Sequence, residues 1–179
     1  MPRNRSRRGF SVAARAARVA FLVGLMMASS SGFARDALLN RPAPPLDRTD
    51  LDNARVSLAS YRGKVVLLNF WATWCGPCLV EIPRFMEWQK QYGPRGFAVL
   101  GVSIDDDEAP VHAFARKLHV NYPIVMGDAR LGETWGGILG VPVTFLIDRK
   151  GVIRARINGE PDLHGMEEQV RKLLADPAE

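Results

Sequence analysis

The chain has 179 residues, 47% hydrophobic and 24% charged, a balance that suits one globular domain and excludes a disordered or fibrous chain. Two cysteines are too few for a disulfide-stapled miniprotein. The formal charge of +5 suggests nucleic acid or an anionic surface until it is located: six of the 24 basic residues and none of the 19 acidic ones fall in 1–34. The remainder is nearly neutral, and no nucleic-acid partner is expected.

Residues 1–34 read as an export signal, with Arg3, Arg5, Arg7 and Arg8 ahead of an apolar run over 19–28 and small residues ending at Ala34, after which cleavage is expected. Ser6-Arg7-Arg8-Gly9-Phe10 looks like the start of a twin-arginine motif, but Arg15 and Arg18 interrupt the stretch that such a motif keeps uncharged, so twin-arginine and general secretory export both stay open. The apolar run is shorter than the roughly 20 residues that cross a bilayer; extended through Ala34, it gives the alternative of an uncleaved N-terminal membrane anchor. Either reading places the domain outside the cytoplasm, in a periplasmic or extracytoplasmic space.

Residues 35–52, with Pro42, Pro44 and Pro45, lack sustained periodicity and read as a linker or lead-in, leaving 53–179 as the domain. Residues 64–71 form a nearly continuous apolar run, as in a central strand buried on both faces. A helix comes next over 77–92, with Leu79, Ile82, Phe85 and Met86 on its apolar stripe and a kink expected at Pro83. A second buried strand covers 97–104, a helix 107–118 and a short strand 124–126. The glycine-rich stretch after it, with Gly127, Gly132, Gly136, Gly137 and Gly140, has no defined pattern. Strands over 143–147 and 152–157 then form a hairpin through 148–151, and an amphipathic helix occupies 162–175. This alternation predicts an α/β domain, a central mixed β-sheet flanked by helices on both faces.

Both cysteines lie in Cys75-Gly76-Pro77-Cys78, where a buried strand gives way to a helix. At the helix N-terminus, unpaired backbone N–H groups and the positive dipole end favour a Cys75 thiolate. Cys78, one turn later, is spaced to resolve a mixed disulfide formed on Cys75. A zinc half-site would need two more ligands, and His112, His119 and His164 form no metal-ligand pair. Leu79 in place of histidine after Cys78 argues against haem attachment. Glu81, three residues after Cys78, projects from the same helix face; the bland alternative is a solvated glutamate. The run Asp105-Asp106-Asp107-Glu108 lacks the glycine and spacing of a calcium loop and reads as helix capping and dipole compensation. No cofactor or metal site is expected.

The stretch Phe70-Trp-Ala-Thr-Trp-Cys-Gly-Pro-Cys78 resembles the active-site signature of the thioredoxin superfamily. Two longer stretches, Val66 through Pro83 and Gly140-Val-Pro-Val-Thr-Phe-Leu-Ile-Asp-Arg-Lys-Gly151, are similar to its exported TlpA/ResA-like branch, and the likeness runs from about 51 to 174. The resemblance implies a thioredoxin-like fold and a thiol-disulfide oxidoreductase that reduces disulfides of partner proteins. It makes Pro142 a cis-proline beside the dithiol, with the Val141 backbone pairing with substrate. Glu81 becomes a proton acceptor near the buried thiol, and Asn69 stands where cytoplasmic thioredoxins carry a buried aspartate. Trp74 is expected to add an apolar contact surface next to Cys75, and the Gly76-Pro77 pair matches reducing thioredoxins. The implied substrates are apocytochrome c or copper-site assembly proteins, with electrons from a membrane donor of the DsbD or CcdA kind. The alternative is an assembly protein for cytochrome oxidase that holds Cu(I) on the two cysteines, although no methionines cluster beside them. A thiol peroxidase would need more than Thr73.

Overall fold

The computed structural model describes residues 37–160 and 162–176, and the expected export signal over 1–34 lies outside them. The segment that reads as a lead-in is folded. β1 (Asp47–Thr49) pairs antiparallel with β2 (Arg55–Ser57). Ahead of β1, the Asn40 N–H donates to the Ile153 carbonyl at 2.8 Å and the Ile153 N–H to the Arg41 carbonyl at 2.9 Å. Leu46 and Leu51 are buried, so residues 37–52 belong to the folded unit instead of leading into it. Strands of three residues carry too little alternation to be read as periodicity.

The main sheet contains β3 (Val65–Trp71), β4 (Phe97–Ser103), β5 (Ile124–Met126), β6 (Val143–Ile147) and β7 (Ile153–Asn158), in the order β5-β4-β3-β6-β7. β3 and β4 are buried along their whole length, as strands covered on both faces must be. They run parallel, from Val65 opposite Phe97 to Trp71 opposite Ser103. β5 continues the parallel half beside β4, while β6 is antiparallel to β3 and β7 to β6. Asp148 Oδ1 closes the β6–β7 turn by accepting from the N–H groups of Lys150 and Val152, both at 2.9 Å.

α1 (Gly76–Tyr92) joins β3 to β4, and α2 (Glu108–Leu118) joins β4 to β5. Both crossovers step the same way across the sheet, so right-handed connection places both helices on one face. α3 (Ala129–Thr134) lies on the other face, and α4 (Leu163–Ala175) returns to the first. One core packs Leu67, Trp71, Ile82, Phe85, Val111 and Val170; the other packs Leu68, Phe70, Leu131, Trp135 and Phe145 with Leu46 and Val56. The mixed sheet with helices on both faces is the architecture the alternation predicts.

α1 runs continuously through Pro83. Its buried stripe is Cys78, Glu81, Ile82, Phe85, Trp88 and Tyr92, while Leu79 and Met86, expected on the stripe, sit at its partly buried margin. The glycine-rich stretch contains α3, capped by Asp128, whose Oδ1 accepts from the Leu131 N–H at 2.7 Å. Gly136 and Gly137 then turn the chain through positive φ.

Candidate active site

β3 ends at Trp71 and α1 begins at Gly76, so a four-residue loop presents Cys75 beyond the C-terminal edge of the sheet. Cys75 is the N-cap of α1, with extended backbone, and its Sγ accepts from the Cys78 N–H at 3.3 Å. Pro77 stands in the first turn, where a missing N–H removes no helix bond. Cys75 and Cys78 form a disulfide with Cα atoms 5.3 Å apart. Cys75 is slightly exposed and Cys78 is fully buried, so an incoming partner reaches Cys75 first. Trp74 projects into solvent with 67% of its surface exposed.

The other side of the site comes from the antiparallel half of the sheet. Phe70 pairs with Val143, which brings the residues just before β6 to the same edge as the Cys75 loop. There the Val141–Pro142 peptide is cis, and the Pro142 carbonyl accepts from the Gly159 N–H at 2.8 Å. The Arg156 guanidinium fastens the preceding turn by donating to the carbonyls of Gly136 at 3.0 Å and Gly137 at 3.2 Å. Gly136 has φ +79°, which favours glycine, and a Cβ there would lie 2.8 Å from the guanidinium and displace it. Beside the cis bond is a groove of about 340 Å³, lined by Leu139, Gly140, Val141, Pro142, Asn158 and Gly159 among others. Leu139 and Val80 are as openly displayed as Trp74.

Glu81 lies on the buried stripe of α1, 1% exposed, and neither carboxyl oxygen has a hydrogen-bond partner. Burial, and secondarily the charge of Glu160, pushes its pKa up to about 8. The Tyr122 hydroxyl is raised well above its usual value, by burial first and the charge of Glu81 second. A carboxyl that titrates near neutrality can accept a proton from a thiol or return it. Asn69 is buried, and its amide donates to Thr144 Oγ1 at 3.0 Å.

One residue of this edge has a role that its place in the sequence does not suggest. Asp105 does not cap α2. Its carboxylate accepts from the Thr73 N–H at 2.9 Å, the Thr73 hydroxyl at 2.5 Å and the Ser103 hydroxyl at 2.7 Å. The N-cap of α2 is Asp107, which makes no side-chain capping bond, and only Glu108 stands in the first turn as dipole compensation requires. The available signal was register: Trp71 pairs with Ser103, so two residues further on Thr73 faces Asp105. Among the described residues no group of three or more His, Cys, Asp or Glu side chains is placed to hold a metal ion.

A sheet of this order, with a Cys-x-x-Cys pair starting the helix after β3 and a cis-proline at the same edge, defines a thiol-disulfide oxidoreductase of the thioredoxin superfamily. The chain belongs to the Redoxin family, whose model matches residues 38–174. It is 30% identical over 136 residues to thiol-disulfide oxidoreductase ResA of Bacillus thuringiensis subsp. konkukian (strain 97-27), spanning 75% of this chain and 78% of that one. To ResA of Geobacillus kaustophilus (strain HTA426) it is 33% identical over 131 residues, spanning 73% and 75% of the two chains. Among solved structures it is similar to a thiol:disulfide interchange protein of the thioredoxin family from Chlorobium tepidum TLS. There the TM-score is 0.70 at 32% identity, over 75% of this chain and 96% of that one. The protein is a TlpA/ResA-like thiol-disulfide oxidoreductase.

Proposed function

We propose that the protein works outside the cytoplasm as a reductase of selected protein disulfides, with Cys75 as nucleophile and Cys78 as resolving thiol. The observation that carries this reading is the asymmetry of the pair: Cys75, the N-cap of α1, keeps 5% of its surface exposed, while Cys78 is fully buried. The Cys75 thiolate attacks a substrate sulfur, forming a mixed disulfide and expelling the second substrate sulfur as a thiolate that takes up a proton. Cys78 loses its proton to Glu81 and attacks Cys75 Sγ, which closes the Cys75–Cys78 disulfide and frees the reduced substrate. Two electrons pass from the dithiol to the substrate. The backbone of Val141 and cis-Pro142 lines up the substrate chain, and Trp74 with Gly76 and Pro77 gives the opposing contact surface.

The substrate class is a polypeptide segment with apolar residues near its disulfide, which suits the display of Trp74, Val80 and Leu139 around the dithiol. Apocytochrome c and copper-site assembly proteins are the substrates that the TlpA/ResA likeness favours, and a membrane donor of the DsbD or CcdA kind would restore the dithiol. Among the described residues no helix is long and apolar enough to cross a membrane. Residues 1–34 supply the export signal or anchor in this reading, supported by their basic start and the apolar run over 19–28.

Trapping tests this reading. With Cys78→Ser in the full chain, a mixed disulfide on Cys75 should accumulate, carrying a protein with a Cys-x-x-Cys-His motif or a copper-site cysteine pair. If no covalent partner forms while the reduced wild-type protein binds Cu(I) tightly through both cysteines, the metal-assembly alternative replaces it.

A further inference from the structure

We propose that Asp105 is a positioning residue for disulfide reduction: it holds the loop that sets Trp74 and Cys75 against an incoming polypeptide. The inference rests on the proposed roles of Cys75 and Trp74.

The loop between β3 and α1 has little backbone bonding of its own. The Ile104 N–H donates to the Trp71 carbonyl at 2.9 Å at its base, and the Cys75 N–H to the Ala72 carbonyl at 3.2 Å. Between these two points, Thr73 is held from the neighbouring strand. Its N–H and hydroxyl bond different oxygens of one Asp105 carboxylate, at 2.9 and 2.5 Å, which fixes rotation as well as position. The carboxylate is itself braced, since Oδ2 accepts from Ser103 Oγ at 2.7 Å and the Asp105 N–H donates to that Oγ at 3.1 Å. Asp105 is only 8% exposed, and these hydrogen bonds offset its loss of contact with water. All of those bonds serve one place, one residue before Trp74 and two before Cys75.

This arrangement separates two kinds of substrate. A small disulfide needs only an accessible Cys75 sulfur. A polypeptide must also meet Trp74 on one side and Val141–Pro142 on the other, so it depends on where the loop stands. Misplacing a docking group by about 1 Å can cost two orders of magnitude in rate.

The test compares single-turnover reduction of insulin and of the aryl disulfide DTNB by the fully reduced chain. Asp105→Ala should slow insulin reduction about tenfold and change the DTNB rate less than twofold, with the far-UV spectrum retained. Asp105→Asn, which keeps an acceptor for the Thr73 N–H, should recover the insulin rate to within about threefold of wild type. If Asp105→Ala does not fold, Thr73→Val takes its place, because it removes the 2.5 Å bond alone; a threefold loss confined to insulin is expected. Unchanged insulin rates, or equal losses with both disulfides, would leave Asp105 a purely structural residue and overturn the inference. Wild-type protein that reduces neither disulfide would instead remove the reductase reading on which the inference stands.

Discussion

Glu81 is a carboxyl buried among aromatic and aliphatic side chains with no hydrogen bond to offset the loss of water. Burial therefore keeps it protonated well above the ordinary range, up to about 8. The folded protein then binds a proton that the unfolded chain releases at ordinary carboxyl pKa. Its stability should be greatest in mild acid and decline as the pH rises, by roughly 3 kcal/mol between pH 5 and pH 8. Glu81→Gln should flatten that decline, measured by denaturant unfolding of the oxidised protein at pH 5 and pH 8. A variant with the wild-type slope would show that the group is not held neutral. In the reduced protein the same substitution should lower the apparent thiol pKa by about one unit, because a nearby carboxylate disfavours a thiolate. The spacing from Cys78 was legible in the sequence. The burial was not, because a lone glutamate among apolar positions marks the margin of a stripe as readily as its centre.

Among the elements, those with long uniform patterns were readable and those made of short pieces were not. β3 and β4 announce themselves by unbroken apolar runs, and α1 and α4 by their three-and-four spacing. The β1–β2 pair and α3 have three to six residues each and depend on tertiary partners: Leu46 against the second core, Leu131 and Trp135 against Phe70 and Phe145. Proline and glycine in these stretches read as punctuation when considered alone. Leu46→Ala tests whether the N-terminal segment is part of the core. It should cost about 2–5 kcal/mol in equilibrium unfolding, the range for truncating a buried leucine, whereas a residue in a free linker would cost nothing measurable. Asp105 belongs to the same lesson, since its role appears only once β3 and β4 are set in register.

In the molecule as a whole, topology brings the site together. β3 runs toward the edge where it hands over to α1, and antiparallel β6 starts at that same edge, so residues 75 and 142 converge from 67 positions apart. The Cys-Gly-Pro-Cys unit and the Gly140–Gly151 stretch made the fold class and chemistry legible together, while the clamp at Thr73 and the groove beside Pro142 needed three dimensions. Cys75 is proposed to carry out dithiol exchange on polypeptide disulfides. The most direct test is to mix the reduced full chain, one turnover at a time, with a peptide carrying an oxidised Cys-x-x-Cys-His motif, and to count free thiols on the peptide by mass spectrometry. One reduced peptide is expected for each Cys75–Cys78 disulfide formed, with Cys75→Ser inert and Cys78→Ser stalled as the mixed disulfide. Reduction that persists in Cys75→Ser, or a wild-type protein that leaves the peptide oxidised, would contradict the claim.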